Sequence, residues 1–205
     1  RIATNADSLG TWFLDAVAAF ARGSTHLLDI AVDDQDHTAE WLRRGGVLAA
    51  VTALAKPIQG CRVMPLGSLR YLATASPEFI ARHFSDGVTL QALAQAPSLV
   101  FNQKDRLQSQ WMQLVFGQGP GHPVHWVPST QGFVDASLLG IGWCANPELL
   151  VADHIAAGRL RELVPGSPLD IPLFWQVNRI AADRLADLTR AVVETARRVL
   201  VSSQG

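Results

Sequence analysis

The sequence has almost no excess charge of either sign. Its 205 residues include 17 lysines and arginines and 18 aspartates and glutamates, which leaves a net charge of −1. Nucleic-acid-binding domains carry a basic patch or stripe, and membrane-surface anchors carry clusters of basic residues. We therefore expect this part of the chain to contact neither a nucleic acid nor a membrane.

Cysteines and long apolar runs are scarce as well. Cys61 and Cys144 are too few for a disulfide framework, and we expect both to be buried free thiols in a reducing, cytoplasmic compartment. No run reaches the roughly 20 apolar residues of a membrane-spanning helix, and the first residues do not form a signal peptide. Because the chain opens at Arg1 rather than at methionine, we expect it to be part of a longer protein.

The common catalytic and cofactor motifs are also missing. The sequence contains no Gly-x-Ser-x-Gly elbow and no phosphate loop, and the glycines of 117–121 neither follow a strand directly nor open a helix. His122 and His125 have no cysteine or acidic partner nearby, so they are interpreted as loop and strand residues rather than as metal ligands. Cys144 has no recognisable histidine partner. We therefore predict no catalysis, no cofactor and no metal.

What the first part of the sequence does contain is an alternation of strands and helices. The hydrophobic periodicity predicts strands over 1–4, 26–32 and 47–54, with helices over 9–21 and 38–44 between them. Ser8 is the expected N-cap of the first helix. A βαβαβ order of this kind predicts a parallel sheet with helices on its faces.

The rest of the chain also alternates helices and strands, and it contains two long extended runs. The first is 61–75, with an interruption near Gly67, and the second is 171–178. Between and after them the patterns predict further elements: helices over 78–83, 89–94, 106–116, 131–139 and 184–201, and strands over 98–101, 124–127, 141–144 and 160–164. The two extended runs are either ordinary strands of one sheet or crossover strands that join two α/β lobes. In the second case a ligand would bind between the lobes, at the carboxyl ends of the strands.

Two loops place polar side chains where a strand leads into a helix. One contains Asn5, Ala6, Asp7 and Ser8, and the other contains Ser129, Thr130 and Gln131. The first turn of a helix offers unpaired N–H groups and a partial positive charge, which suit a carboxylate. The alternative for each loop is ordinary N-capping. Two such loops favour a small ligand with a carboxylate group.

Asp33 and Asp34 end the second predicted strand, next to the loop that contains Asp7. These carboxylates would pair with a cationic group at the other end of the ligand. The alternative is a solvated acidic turn, because Asp36 continues the acidic run.

Several short motifs make the chain similar to a known family. They are Asn5-Ala6-Asp7-Ser8-Leu9 with Thr11-Trp12, Leu42-Arg43-Arg44-Gly45, Phe79, Phe84-Ser85-Asp86-Gly87-Val88-Thr89, and Val199-Leu200. Over essentially all 205 residues the chain resembles the effector-binding domain of LysR-type transcriptional regulators. The first motif resembles in particular the LysG/ArgP branch, whose members sense lysine and arginine.

The resemblance implies a fold and an assembly. The fold would be α/β, with two Rossmann-like subdomains joined by two crossover strands, as in periplasmic binding proteins. Subdomain I would comprise 1–67 and 170–205, and subdomain II would comprise 68–169. A winged helix-turn-helix domain, absent from this chain, would supply all DNA contacts, and the proteins would form dimers and tetramers.

The resemblance also implies a function, namely sensing of a basic amino acid between the subdomains to control transcription, with an amino-acid exporter gene as a typical target. The ligand's carboxylate would meet Ser8 and Ser129 or Thr130. Its cationic groups would meet Asp7, Asp33 or Asp34, and Thr52 would add a hydroxyl. The chain departs from many relatives at 47–50, which lacks an acidic residue, and at Asn146, which replaces a leucine. The alternative is a solute-binding protein for amino-acid transport.

Overall fold

The computed structural model describes residues 1–33 and 38–202, apart from the side chains of Asp33 and Thr38. It divides into two compact units. The described residues of 1–69 and 170–202 form unit 1, and residues 70–169 form unit 2. The chain passes between the units along two strands, β4 (Cys61–Ala75) and β9 (Leu169–Asn178). The interpretation of the two extended runs as crossover strands is therefore confirmed.

The sheet of unit 1 has a parallel core. β1 (Ile2–Asn5) pairs in parallel with β2 (Ile30–Asp33) on one side and with β3 (Ala49–Thr52) on the other. β9 then pairs antiparallel with β3, and the strand order is β2-β1-β3-β9-β4. β1 and β3 are buried along their whole length, as expected of apolar strands covered on both faces.

The first helix of unit 1 begins earlier than its apolar periodicity predicts. It comprises α1 (Ala6–Ser8), one π-helical segment (Leu9–Phe13) and α2 (Leu14–Ala21). The prediction that Ser8 is the N-cap is wrong. Asn5 has extended backbone angles, and its Oδ1 accepts the Ser8 N–H at 2.9 Å, so Asn5 is the cap.

Apolar side chains hold the helices of unit 1 on its sheet. α2 packs against α9 (Ala186–Val199), whose buried stripe is Leu188, Val192 and Ala196. Phe13 bridges the two aromatic neighbours Trp12 and Trp175, with ring centroids 5.6 and 6.2 Å away. A second cluster of small and aliphatic side chains lies under α3 (Thr38–Arg43).

Unit 2 has two sheet segments. The second half of β4 pairs antiparallel with β7 (Cys144–Pro147) and β8 (Arg161–Glu162), while β5 (Ser98–Val100) and β6 (Val124–Trp126) form a parallel pair. Its helices are α4 (Pro77–His83), α5 (Leu90–Leu93), α6 (Leu107–Phe116), α7 (Thr130–Leu138) and α8 (Glu148–Ala156). The core contains Phe79, Trp111 and Trp143.

Two expectations for the chain between Cys61 and Pro147 are wrong, and one helix has no predicted counterpart. The strand predicted over 141–144 lies at Cys144–Pro147, because Asn146 enters the sheet by donating from Nδ2 to Thr74 Oγ1 and Ser137 Oγ. α8, which follows it, was not predicted. β4 is continuous through Gly67, whose φ of +120° lets the backbone of Val201 approach closely enough to pair with Ser68.

Candidate functional site

The carboxyl ends of the parallel strands bring three predicted site residues of unit 1 together. Asn5 is the register partner of Asp33, at the ends of β1 and β2. Ala3 is the partner of Ala50, so the same register extended by two residues sets Thr52 beside Asn5. Unit 1 therefore has the strand-end arrangement in which open α/β sheets bind ligands.

The start of the first helix presents a mixture of occupied and unoccupied polar groups. Asn5 uses its amide oxygen as the cap of Ser8, and Asp7 is half-buried in the first turn next to Ala6. The Ser8 hydroxyl is fully buried and has no hydrogen-bond partner among the described residues. A buried hydroxyl without a hydrogen-bond partner costs free energy of folding. The position of Ser8 therefore suits a hydroxyl that forms its hydrogen bond with a bound ligand.

The π-helical segment adds two features that the sequence pattern did not predict. The Thr11 hydroxyl donates to the Asp7 carbonyl at 2.6 Å, inside the turn where the usual helical ladder is interrupted. The indole N–H of Trp12 is buried without a hydrogen-bond partner in the described part of the chain, as is the hydroxyl of Thr4 in the preceding strand β1. The Thr11-Trp12 motif was the only signal, and π-helical turns are frequent at functional sites.

Thr52 is fully buried, and its hydroxyl accepts the backbone N–H of Leu54 at 3.0 Å. The segment that follows is held by Gln176, whose side chain bonds to Leu54, Lys56 and Ile58. Sequence patterns gave no indication of this role for Gln176.

The predicted acidic residues after β2 are only partly described. The backbone of Asp33 ends β2, but its side chain lies outside the described atoms, and Asp34 lies outside the described residues. Their predicted contact with a cationic group remains a prediction.

In unit 2, the second predicted loop leads from β6 into α7. Ser129 has extended backbone angles, and its hydroxyl accepts the Gly132 N–H at 3.0 Å, so it is the N-cap. Thr130 is buried, whereas Gln131 is exposed and donates from Nε2 to Asp135 at 3.1 Å. This loop therefore has a capping role at the start of α7.

His122 and Cys144, which the sequence analysis interpreted as structural residues, each lie beside a polar neighbour. His122 Nδ1 lies 3.1 Å from the Pro120 carbonyl, and Cys144 Sγ lies 3.3 Å from the Ser137 hydroxyl. In residues 1–33 and 38–202, no three histidine, cysteine or acidic side chains are grouped to hold a metal ion. No helix in those ranges is both long and apolar enough to cross a bilayer.

The sequence matches a family model described as "LysR substrate binding domain" over residues 1–200. The chain is 44% identical, over 191 residues, to the HTH-type transcriptional regulator LysG of Mycobacterium tuberculosis. The match covers 93% of this chain but 62% of that protein, so the chain spans less than two thirds of that relative's length.

Solved structures agree with this similarity. The C-terminal domains of a LysR family protein from Agrobacterium tumefaciens superpose with a TM-score of 0.96 at 69% identity, covering 98% of this chain and 97% of that one. Full-length LysG from Corynebacterium glutamicum, solved with the effector Arg bound, superposes with a TM-score of 0.86 at 39% identity. That match covers 98% of this chain and 68% of the LysG chain.

Proposed function

Because the chain belongs to the LysR substrate-binding domain family, in the branch that includes LysG, we propose that it is the effector-sensing domain of a transcriptional regulator. The predicted family and fold class are thereby confirmed. The observation that carries the proposal is the gathering of Asn5, Asp33 and Thr52 at one end of the unit 1 sheet, beside the buried Ser8 hydroxyl.

The proposed effector is a basic amino acid, arginine or lysine. A relative with 39% identity was solved with Arg bound, and this chain has the acidic Asp7 and polar strand ends that suit such a ligand. The α-carboxylate would bind at the Ser8 helix start. The first turn of α7, near Ser129 and Thr130, is a second helix start that suits a carboxylate. Asp7, with Asp33 or Asp34, would accept hydrogen bonds from the cationic groups.

The role of the whole protein is proposed from its relatives. A helix-turn-helix domain outside this chain would bind DNA, the protein would act in the cytoplasm as a dimer or tetramer, and an amino-acid exporter gene would be a target. We propose no catalytic role, since the relatives are named transcriptional regulators. A transport binding protein has the same general fold but is not the class to which these relatives belong.

Isothermal titration calorimetry of the 205-residue chain with arginine, lysine, histidine and glutamate tests the proposal. We expect saturable binding of arginine or lysine and none of glutamate. Substitution Asp7→Asn removes a charge-assisted bond worth about 1.5–3 kcal/mol, which weakens binding roughly tenfold to a hundredfold. Asp15→Asn, on the exposed face of α2, is the matched control and leaves the affinity unchanged.

The outcomes separate the parts of the proposal. Normal arginine binding by Asp7→Asn would contradict the role of Asp7 but leave the effector class intact. Absence of binding of every basic amino acid by the unsubstituted chain would contradict the effector class itself.

A further inference from the structure

Unit 2 contains a cavity that the proposed effector site does not use. It has a volume of about 290 Å³ and lies between the first turn of α6, the loop before β6 and one side of the β5–β6 pair. Among its lining residues are Arg106, Gln108, Gly121, His122, Val124 and Trp126. This volume is close to the lower end of the range of small-molecule sites, about 300 Å³, so the cavity suits a small ligand of amino-acid size.

Two side chains of this lining hold buried hydrogen-bond acceptors without a donor. Gln108 is only 2% exposed, and its Nε2 donates to the Leu99 carbonyl at 2.6 Å, while its Oε1 has no partner in the described part of the chain. His122 Nδ1 lies 3.1 Å from the Pro120 carbonyl, which only accepts, so Nδ1 donates, and in the neutral ring Nε2 is then the acceptor. His122 Nε2 is likewise buried without a partner among the described residues.

The start of α6 offers hydrogen-bond donors and a positive charge instead. This helix has ten residues, and its N-cap, Arg106, provides no side-chain cap to the first-turn N–H groups. The Asp105 carboxylate accepts from the N–H groups of Phe101 and Leu107, each at 3.0 Å. An exposed guanidinium beside the positive end of a helix favours a bound carboxylate.

We propose that this cavity binds a neutral α-amino acid in its zwitterionic form. The carboxylate would bind at Arg106 and the free first-turn N–H groups of α6. The ammonium group would donate to Gln108 Oε1 and His122 Nε2 and so satisfy both buried acceptors. An apolar side chain would pack against Val124 and Trp126 on the β6 side of the cavity.

The charge of the lining explains the choice of a neutral ligand. Asp105 and Arg106 are the charged residues of the lining, one of each sign, so the cavity offers no surplus carboxylate for a second cationic group. This separates the ligand by class from the basic amino acid proposed for the strand-end site. The inference therefore does not rest on the proposed function.

L-leucine is the probe, added to ¹⁵N-labelled 205-residue chain and followed by two-dimensional NMR. We expect saturable shifts of the amide signals of Gly119 and Gly121 and of the Gln108 side-chain amide. Leucinamide, which lacks the carboxylate, and 4-methylpentanoate, which lacks the ammonium group, should each bind at least tenfold more weakly than leucine.

Two substitutions and one control place the site. Gln108→Leu removes the acceptor at similar volume, and Arg106→Gln removes an exposed charge without touching the core, so each should weaken leucine binding at least tenfold. Gln110→Leu, on the exposed side of α6, should leave it unchanged. The proposal is overturned by the absence of saturable shifts up to about 10 mM leucine, a range that covers weak small-molecule sites. Loss of the leucine shifts in Asp7→Asn, or their persistence in both Gln108→Leu and Arg106→Gln, would also overturn it.

Discussion

One buried glutamine fixes the segment that follows β3. The Gln176 side chain is fully buried and makes three hydrogen bonds, accepting from the Ile58 N–H at 2.9 Å and donating to the Leu54 and Lys56 carbonyls at 2.8 and 3.1 Å. A single side chain therefore satisfies three backbone groups that no strand or helix partner satisfies.

Replacement of this side chain by leucine should destabilise the chain strongly. Gln176→Leu keeps the volume but leaves three backbone groups without partners, and each buried orphan costs about 1–3 kcal/mol. We expect the free energy of unfolding in urea to fall by about 3 kcal/mol or more. Gln110→Leu, made on an exposed position, should change it by less than about 0.5 kcal/mol; equal effects of the two would contradict the role of Gln176.

A histidine of unit 2 should make stability depend on pH. Burial, and to a smaller extent the neighbouring Arg82, lowers the pKa of His83, whose ring stacks on Phe79 with centroids 4.3 Å apart. The unfolded chain then binds a proton more readily than the folded chain below a pH of about 6.5. Stability from this group is complete above that pH and is lost as the pH falls through the lowered pKa.

The variant His83→Phe keeps an aromatic ring on Phe79 but cannot be protonated. Its melting temperature should fall less between about pH 7.5 and pH 5.5 than that of the unsubstituted chain. Thermal unfolding followed by circular dichroism at both pH values measures the difference. His125→Phe, on an exposed position, controls for the loss of one histidine. If both variants reduced the fall in melting temperature between the two pH values equally, the assignment to His83 would be refuted.

At the scale of elements, the closest approach of two segments in unit 1 depends on Gly67. A Cβ atom at this position would lie 2.8 Å from the Val201 carbonyl oxygen and 3.0 Å from Leu200 Cβ. The φ of +120° adds backbone strain for any other residue. β4 can pair with Val201 at Ser68 only while this position has no side chain.

Gly67→Ala should therefore be far more harmful than a glycine substitution that introduces strain alone. Gly87 also has a positive φ, +97°, but nothing lies within 4 Å of its added Cβ, so Gly87→Ala is the matched control. We expect the control to cost about 1–2 kcal/mol and Gly67→Ala about 2 kcal/mol more, a further loss of about 4–8 °C in melting temperature. Equal losses in the two variants would show that the contact with Val201 does not matter.

The elements that sequence reasoning predicted well are those whose local pattern and tertiary role agree. The β3 sequence is an apolar run because the strand is buried along its whole length, and the α9 sequence has helical periodicity because one apolar stripe of the helix is buried. The strand predicted over 141–144 actually lies at Cys144–Pro147. The apolar residues after Gly140 have the local pattern of a buried strand. The polar Asn146 does not, because its place in the sheet depends on hydrogen bonds to residues distant in the sequence.

The candidate site was predictable to a smaller extent for the same reason. Polar residues at strand ends were visible in the sequence as Asn5 and Thr52, because the strands themselves were visible. The buried Trp12 indole and the bonds of Gln176 depend on contacts distant in the sequence, which no local pattern encodes.

At the scale of the whole molecule, effector binding should appear as added stability. A ligand present at 100 times its dissociation constant stabilises the folded state by about 2.7 kcal/mol. For a chain of this length that corresponds to a rise of roughly 5–10 °C in melting temperature. Differential scanning fluorimetry with arginine or lysine should give this rise, and Asp7→Asn should reduce it at the same ligand concentration.

Glutamate and L-leucine serve as the comparison ligands in that measurement. Glutamate should give no rise. A rise with L-leucine that survives Asp7→Asn but disappears in Gln108→Leu would belong to the cavity of unit 2. A rise of equal size with all four amino acids would contradict specific recognition of a basic side chain.

The order of the two units along the chain determines which of them can complete its fold first during synthesis on the ribosome. Unit 2 is one continuous stretch, 70–169, whereas unit 1 needs α9, which begins at Ala186, to cover α2 and the sheet. On the ribosome, unit 2 therefore has all of its residues available while β1, β2 and β3 still expose the surface that α9 will bury. Unit 1, whose first strands precede unit 2 along the chain, is thus the later of the two to complete its fold, and during that interval its uncovered apolar surface is the part of the nascent chain on which chaperones would act.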